Sequence, residues 1–485
     1  MKRFFRKGLT LLITLIFLIT MSLSVFASDK IDYVLDENGT KVYIPLTYRA
    51  QQVYSPSGNG NELNNPQDMC LGQKGTAYEN YMFIADTGNN RVIILDPNGQ
   101  VVRTIDEADG KAFVRPSGIT VKSENDIYIS DTGNARIVHM TMQGEYVESF
   151  VKPDSDMLDK DMVFDVSRME ITDGGLIYVM RGANFMMIDA KNQFQGMVGS
   201  TRVVYSLAFM MMRIFASQEQ LEYYVSPEPA AYTSFDLGDD GLIYATVEDA
   251  TEQIQIINGN GDNIYTKKFF GEQSVNSDGS IQLPNFIDIT VNGNGIISAL
   301  EKNSASIYQY DQQGNLLTVF GGKGDTKGFF TAPSSIVSTD DNRIYVLDSS
   351  RGDITVFYPT SFIQNVLQAA QYYTDGRYQE AYEKWKEVNQ IDSGYPLANE
   401  GIALALYKSG QAKESLYYYR LAKAKGGFSN AFDDIRYDFF RQNFIYVVIV
   451  LVLLCVGLFF LIRWLYRLSG KYMREYFYRQ EDYRR

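Results

Sequence analysis

The chain has 485 residues and a mass of 55.1 kDa, a length that predicts about three folding units rather than one core. With 45% hydrophobic and 21% charged residues it can form buried cores, which excludes wholesale disorder. The net charge of −13 argues against a nucleic-acid partner. The chain has a single histidine and two cysteines, which excludes a disulfide framework and most catalytic or zinc sites built from His or Cys.

The first residues have the three-part layout of a secretory signal. Basic residues within positions 2–7 precede a long apolar stretch, which ends in small residues at Ala27. Residues 1–27 are therefore predicted to be a signal peptide that is cleaved after Ala27. An uncleaved N-terminal anchor is the alternative, because the apolar stretch is long.

A repeated motif follows. Residues 81–96, YMFIADTGNNRVIILD, return at 126–138 as DIYISDTGNARIV. Weaker copies occupy residues 176–181, 242–247, 295–301 and 343–351. Each copy combines a β-branched and aromatic strand, a polar turn and a second strand. Six units of four strands predict a mainly β protein with a six-bladed β-propeller.

The repeated turn Asp-Thr-Gly-Asn-Asn-Arg at residues 86–91 resembles that of NHL repeats. More broadly, residues 42–358 resemble the six-bladed propellers of the senescence-marker-protein and gluconolactonase superfamily. The propeller domain is assigned to residues 28–358. Its sixth copy lacks an outer strand, and residues 42–54 are predicted to supply it and so remove an open sheet edge.

One segment breaks the repeat. Residues of about 200–226 form an apolar, methionine-rich insertion that is predicted to be helical. Because methionine-rich surfaces are adaptable, a protein partner is predicted to contact Phe209, Met210, Met211 and Met212. A helix folded over the propeller face is the alternative.

Seven residues near the starts of the innermost strands are candidates to line the propeller channel. They are Asp68, Arg115, Ser117, Asp165, Asp236, Asn285 and Asp288. The superfamily resemblance implies a divalent cation, such as Ca²⁺, held in the channel by carboxylate and amide side chains, and a carboxylate that handles a proton. The seven do not match the family's ligands residue by residue, so no cofactor and no catalytic residue are assigned.

Helical periodicity begins at residue 362. The pattern that starts at Asp375-Gly376 recurs at Ser409-Gly410, a spacing of 34 residues, and resembles tetratricopeptide (TPR) repeats. Residues 362–441 are assigned to a TPR-like helical domain. A protein contact surface is predicted for it, and a generic spacer is the alternative.

An uncharged apolar run at 444–462 is predicted to cross a membrane once. The basic tail at 463–485 is expected in the cytoplasm, and the propeller and TPR-like domains outside it. This layout predicts a single-pass cell-membrane scaffold or adaptor for protein–protein interaction, such as an accessory subunit of a transporter or cell-envelope complex. The alternatives are a metal-dependent gluconolactonase-like hydrolase and a receptor for sugars or peptidoglycan fragments; no small-molecule ligand is assigned.

Overall fold

The computed structural model describes residues 32–36, 39–58, 60–123, 126–201, 229–248, 251–275, 279 and 281–482. The predicted signal peptide at 1–27 and the predicted partner-binding residues Phe209, Met210, Met211 and Met212 lie outside the described residues. The chain divides into two compact units, Met1–Ala398 and Asn399–Arg485.

The first half of the β structure contains three N-terminal strands and three blades. The N-terminal strands are β1 (Tyr33–Leu35), β2 (Lys41–Tyr43) and β3 (Tyr48–Tyr54). Blade one comprises β4 (Asp68–Leu71), β5 (Met82–Asp86), β6 (Arg91–Leu95) and β7 (Val101–Ile105), and is followed by the hairpin β8 (Glu107–Ala108) and β9 (Lys111–Ala112). Blade two comprises β10 (Pro116–Ser123), β11 (Asp126–Asp131), β12 (Arg136–Met140) and β13 (Tyr146–Phe150). Blade three comprises β14 (Met169–Ile171), β15 (Ile177–Arg181), β16 (Asn184–Ile188) and β17 (Phe194–Val198).

The second half contains three more blades, so the predicted six-bladed propeller is confirmed. Blade four shows β18 (Tyr232–Leu237), β19 (Ile243–Val247) and β20 (Ile254–Ile257) in the described part of the chain, and is followed by the hairpin β21 (Ser274–Val275) and β22 (Ile281–Gln282). Blade five comprises β23 (Phe286–Val291), β24 (Ile297–Glu301), β25 (Ser306–Tyr310) and β26 (Leu316–Gly321). Blade six begins with β27 (Pro333–Ser338), β28 (Ile344–Asp348) and β29 (Asp353–Pro359).

The hydrophobic core lies between adjacent blades. Every residue of β5 is buried, because the middle strands are covered on both faces. Phe83 and Val92 of blade one belong to the same buried cluster as Ile119, Ile129 and Val138 of blade two. Interlocking apolar faces of this kind, and not a single central core, hold the ring of blades together.

The N-terminal segment completes blade six. Strand β3 pairs antiparallel with β29, from Tyr54 opposite Ile354 to Tyr48 opposite Pro359. The outer edge of blade six is thereby covered by a strand from the other end of the propeller sequence, which leaves no open edge there.

The outer strand is shorter than the predicted stretch 42–54 because the chain turns before Tyr48. Strands β1 and β2 pair with each other and extend the outer edge of blade five, where Tyr33 is opposite Val319. Buried Asp32 fixes the turn, since its Oδ2 accepts hydrogen bonds from both the backbone N–H and the hydroxyl of Thr47 at 2.6 Å. The sequence pattern did not predict this extension of blade five.

Six helices follow in the described residues. They are α1 (Ser361–Thr374), α2 (Tyr378–Ile391), α3 (Pro396–Lys408), α4 (Ala412–Ala422), α5 (Lys425–Gln442) and α6 (Phe444–Asp482). The α1–α2 hairpin is bonded to the propeller within the first unit. Thr360 donates its backbone N–H to the carbonyl of Thr47 at 2.8 Å, and the Tyr395 hydroxyl donates to the carbonyl of Leu317 at 2.8 Å.

In the second unit, small side chains allow the helices to pack closely. Ala403 of α3, Tyr419 of α4 and Ala431 of α5 share one buried cluster. Helix α6 packs on none of these residues along its apolar part: the segment Phe444–Arg474 is unburied, and it is long and apolar enough to cross a membrane. The predicted span at 444–462 lies within it, and the helix continues through most of the predicted tail.

Candidate functional site: the propeller channel

The innermost strand of each blade turns a sheet edge toward the channel, and such an edge carries unpaired backbone N–H groups. Three channel carboxylates satisfy some of them. Each accepts a hydrogen bond from the innermost strand of the next blade: Ile119 N–H bonds to Asp68 at 2.9 Å, Val291 N–H to Asp236 at 2.8 Å and Ile336 N–H to Asp288 at 2.7 Å. These carboxylates therefore have a structural task that is independent of any ligand.

In each blade, one residue in or directly before the innermost strand is paired with the residue of the second strand that precedes the turn to the third strand. These paired positions are equivalent in all six blades. These six residues, named here the channel ring, are Asp68, Gly118, Arg168, Ser234, Asp288 and Ser335. The ring thus combines two acids, one base, two hydroxyls and one glycine. Their chemistry differs from blade to blade, unlike that of the repeated turns.

Arg168 links the two acids of the channel ring. Its Nη1 lies 3.0 Å from Oδ1 of Asp68 and 2.9 Å from Oδ1 of Asp288. The Ser234 hydroxyl donates to Asp288 at 2.6 Å, and the Ser335 hydroxyl donates to Asp68 at 3.3 Å. One guanidinium from blade three is therefore held between blades one and five, with a hydroxyl from a neighbouring blade on each acid.

Gly118 makes room for this arrangement. A Cβ at Gly118 would lie 2.5 Å from the carbonyl oxygen of Ser167 and 3.3 Å from the Cα of Arg168. A side chain there would push the strand that carries Arg168 away from blade two. The glycine in the channel ring is thus required by a close backbone approach.

Burial and charge oppose each other in the channel ring. Burial raises the pKa of Asp68, the positive charge of Arg168 lowers it, and the negative charge of Asp288 raises it again, with a net upward shift. Burial alone would lower the pKa of Arg168, but the carboxylates of Asp288 and Asp68 raise it above its usual value. Arg168 is therefore a permanent cation between the two acids.

On one side of the channel ring lies a cavity of about 560 Å³, whose lining includes Thr120, Glu170, Asp236 and Thr290. Burial, followed by the charge of Asp236, raises the pKa of Glu170 well above its ordinary range. Burial also raises the pKa of Asp236 to about 6. The Thr120 hydroxyl donates to Oε2 of Glu170 at 3.0 Å. Glu170 therefore keeps its proton to a higher pH than an ordinary carboxyl does, and Asp236 holds a proton below about pH 6.

On the other side lies a cavity of about 750 Å³, whose lining combines neutral polar residues with the basic residues Arg168, Lys302 and Lys323. Each blade contributes the residue that precedes its channel-ring position: Gln67, Ser117, Ser167, Thr233, Ile287 and Ser334. Some of the hydroxyls join adjacent blades. Thr233 donates to the Phe286 carbonyl at 2.7 Å, and Ser334 donates to the Pro66 carbonyl at 2.9 Å.

The repeated turn is structural. Oδ2 of buried Asp86 accepts from Arg91 Nε at 2.7 Å, and its Oδ1 accepts from the backbone N–H of Asn64 at 2.8 Å. The guanidinium of Arg91 also donates to the carbonyls of Gly60 and Glu62, in the loop that leads into the same blade. The turn therefore fixes the incoming loop of its own blade.

The structure places the seven predicted channel residues in two groups. Asp68 and Asp288 lie in the channel ring, Asp236 lines the 560 Å³ cavity and Ser117 lines the 750 Å³ cavity. The other three lie apart from the ring. Arg115 is exposed and donates its backbone N–H to the side chain of Asn90, and Asn285 donates its backbone N–H to the side chain of Glu301. The side chain of Asp165 is 67% exposed and lies 3.7 Å from that of Arg181.

The sequence argument missed Arg168 and Glu170, the two central residues from blade three. A signal was present. In three other blades, the channel-ring residue precedes its partner on the next strand by the same number of positions; the pairs are Gly118 and Ser130, Ser234 and Thr246, and Asp288 and Leu300. Met180 is the corresponding partner in blade three, and counting back the same number of positions from it leads to Arg168.

The channel ring does not fit the divalent cation that the superfamily resemblance implies. Oxygens of Asp68 and Asp288 are bonded to Arg168, to backbone N–H groups and to hydroxyls. A guanidinium between the two acids would repel a divalent cation. In the part of the chain that the structure describes, no group of three or more His, Cys, Asp or Glu side chains gathers as a metal site.

Comparisons with known proteins found one family match and several similar solved structures. The NHL repeat family profile matches residues 113–140, which contain β10, β11 and β12 of blade two. No curated protein matches the chain. Among solved structures, virginiamycin B lyase from Staphylococcus aureus is 15% identical and covers 65% of this chain and 89% of its own, with a TM-score of 0.36. A protein of unknown function from Bacteroides caccae is 12% identical and covers 63% of this chain and 93% of its own, with a TM-score of 0.36. The WD40 β-propeller domain of Doa1 is 10% identical and covers 66% of this chain and 99% of its own, with a TM-score of 0.39. At the level of sequence, the similarity is thus to the NHL repeat, in blade two.

Proposed function

We propose that the protein is a membrane-anchored scaffold that binds a protein partner on the outer side of a cell membrane. In this proposal, residues 1–27 are a signal peptide, the segment Phe444–Arg474 contains the single membrane span, and the basic end of the chain is cytoplasmic. The propeller and a TPR-like helical domain provide the contact surfaces. An accessory subunit of a transporter or cell-envelope complex fits this layout.

The observation that carries the proposal is the position of Arg168 between Asp68 and Asp288. A hydrolase of the gluconolactonase type needs channel carboxylates that are free to hold a metal or to move a proton. Here both acids of the channel ring already neutralise an arginine and bond to backbone N–H groups of the next blades. The channel centre is therefore a structural clamp, which favours binding at outer surfaces over chemistry inside.

The helices support a TPR-like interpretation of residues 362–441. Residues that are 34 positions apart in the sequence have the same environment in their helices. Ala369 and Ala403 are fully buried, and Trp385 and Tyr419 are each 3% exposed. Small residues that recur with large aromatic residues in paired helices are typical of stacked helical repeats, whose grooves bind peptides and proteins.

The partner-binding residues that we propose are Phe209, Met210, Met211 and Met212, in the insertion between blades three and four. Their apolar, unbranched side chains suit an adaptable protein contact. The acidic character of the chain, with its net charge of −13, makes nucleic acid an unsuitable partner.

Copurification from native membranes tests the proposal. The full chain, crosslinked and purified, should retain one recurrent membrane protein, and Phe209→Asp or Met211→Asp should abolish that association without lowering the melting temperature. Met157→Asp is the matched control, because Met157 is an 81% exposed methionine outside the insertion. Equal copurification with all three variants would contradict the proposed contact.

A second measurement addresses the hydrolase alternative. The purified chain should not hydrolyse lactones in the presence of Ca²⁺ or other divalent cations. Hydrolysis that disappears in Asp288→Asn, while the variant still melts cooperatively, would overturn the scaffold proposal and establish an enzyme.

A further inference from the structure

Helix α5 has one face that is fixed by packing. Ala431 is fully buried against the cluster formed with Ala403 and Tyr419, and the Tyr407 hydroxyl donates to Asp434. At Gly427 a Cβ would overlap the ring of Tyr419, so the backbone of α5 lies directly on that ring. The rotation of α5 about its own axis is therefore set by the second unit.

A neighbouring face of α5 is also apolar: Phe428 packs partly against that same cluster, and Phe432 and Phe439 farther along the helix are exposed. Phe428, Phe432, Ile435 and Phe439 follow the spacing of one helix face. Phe432 is 48% exposed and Phe439 is 58% exposed, while the rings of Phe428 and Phe432 are stacked with centroids 6.3 Å apart. This set of four residues is named here the phenylalanine stripe. Tyr437, 69% exposed, lies on the opposite side of the helix by the same spacing.

The start of the apolar helix is one residue away. Helix α5 ends at Gln442 and α6 begins at Phe444. Asn443 between them has φ −110° and ψ 16°, while its backbone N–H still bonds to the carbonyl of Phe439 at 3.0 Å and its own carbonyl accepts from the N–H of Val447 at 3.0 Å. The chain advances at most about 3.8 Å per residue. If α6 spans the membrane, the last turns of α5 must therefore lie at the surface of the same bilayer.

We infer that α5 lies in the membrane interface, with the phenylalanine stripe in contact with lipid. The inference rests on the proposed anchor and adds a second membrane contact outside the span. Phenylalanine side chains on one face of a helix are typical of interfacial helices. The bilayer surface is the apolar medium that the covalent link to α6 brings within reach of the stripe.

The charges of α5 define which lipid chemistry the surface fits. Its three basic residues, Lys425, Arg436 and Arg441, are balanced by three acidic residues, Asp433, Asp434 and Asp438. Binding is therefore driven by burial of apolar area, and not by attraction to anionic headgroups. A zwitterionic bilayer is sufficient.

Thiol accessibility in the full chain tests the inference. The chain is placed in nanodiscs of phosphatidylcholine, and a charged, water-soluble maleimide reacts with single cysteines at Phe432→Cys, Phe439→Cys or Tyr437→Cys, with Cys70 and Cys455 replaced by alanine. Rates are normalised to the chain unfolded in detergent. We expect labelling at positions 432 and 439 to be at least about tenfold slower than at 437, because lipid covers only the stripe. Adding phosphatidylglycerol should leave the ratio unchanged.

The native Cys455 separates failure of this inference from failure of the anchor, because it lies in the middle of the apolar helix. With Cys455 as the single cysteine, protection from the maleimide reports the span. Protection at 455 with equal labelling at 432, 437 and 439 would overturn the interfacial placement and leave the anchor intact. Protection at 437 equal to that at 432 and 439 would mean that the whole helix is embedded, which also contradicts the inference. Free labelling at 455 would overturn both the interfacial placement and the anchor.

Discussion

Arg168 of blade three and Asp288 of blade five are joined across the channel, with Nη1 of the arginine 2.9 Å from Oδ1 of the acid. The same nitrogen lies 3.0 Å from Asp68 of blade one. Three alternate blades thus meet through one guanidinium. Since the blades are otherwise joined mainly to their neighbours, this contact ties together parts of the ring that have no shared apolar interface.

Removing that guanidinium should destabilise the propeller strongly. Arg168→Met leaves Asp68 and Asp288 buried without their cation, and loss of one partner from a buried pair costs about 3–5 kcal/mol. The loss should be smaller near pH 5 than at pH 8, because burial raises the pKa of Asp68 and protonation of that carboxyl removes part of the uncompensated charge. Denaturant unfolding of the full chain measures both values.

The control for Arg168→Met is Arg181→Met on the same blade. Its ion pair with Asp165 is long, at 3.7 Å, and Asp165 is largely exposed; its other bond is to the carbonyl of exposed Val163 at 2.6 Å. The change should therefore cost about 1 kcal/mol, well below the loss for Arg168→Met. Similar losses for the two variants would show that the channel clamp does not stabilise the fold.

Asp236 should make stability fall as pH rises through the acid range. Its ordinary pKa of 3.8 applies to the unfolded chain, and burial raises the folded value to about 6. Between these values the folded protein keeps a proton that the unfolded chain has released, so stability is highest near pH 4 and is lost progressively until about pH 6. Asp236→Asn keeps an acceptor for the Val291 N–H and removes the charge.

Asp236→Asn should therefore raise the melting temperature at pH 7.5 and change it little at pH 4. The control is Asp239→Asn, at an exposed position that lines the same cavity, and it should change the melting temperature by the same amount at both pH values. A stabilisation of Asp236→Asn that is equal at both pH values would contradict the assignment of this pH dependence to Asp236.

The hydroxyl of Thr87 should contribute to the contact between blades one and two. It donates to the Pro116 carbonyl at 2.6 Å, and Thr87→Val keeps the shape while removing the donor. We expect a loss of about 1 kcal/mol. The control is Thr104→Val, on the exposed part of β7, which should change the free energy of unfolding by no more than about 0.5 kcal/mol. Equal losses of stability in the two variants would argue against a role for the bond between the blades.

Closure of blade six by β3 should be essential for a soluble propeller. Deleting residues up to Tyr54 exposes the edge of β29 and should cause aggregation. Deleting only up to Tyr43 removes β1 and β2 and should leave a cooperative, less stable fold, because Thr47 loses its acceptor Asp32. Light scattering and thermal melts distinguish the two, and an unchanged melt for the longer deletion would refute the closure.

The blades could be predicted from sequence because their signals are local. Within each copy, the alternating strands lie within a few residues of the turn, which begins at Asp86 in the first copy and at Asp131 in the second. The missing outer strand of blade six could be inferred by counting strands. The extension of blade five could not, because it depends on the tertiary contact of Asp32 with Thr47 and on the pairing of Tyr33 with Val319.

The channel was only partly predictable. Asp68 begins β4, and Asp236 and Asp288 lie within β18 and β23, so they could be proposed from the strand pattern. Blade three lacks the Asp-Thr-Gly-Asn turn that marks the register in blades one and two, and Arg168 was missed for that reason. Its partners come from blades one and five, a relationship that no local pattern contains.

The pairing of β3 with β29 also constrains the order in which the chain can be made and folded. The two strands are separated by about 300 residues, so at 5–20 residues per second β3 would leave the ribosome roughly 15–60 s before its partner exists. During that interval the early blades have hydrophobic faces without neighbours, and the ring cannot close. Such a non-local final step gives a slow-folding topology. The chain would therefore depend on the cell's chaperones for longer than a protein of the same size built from local contacts.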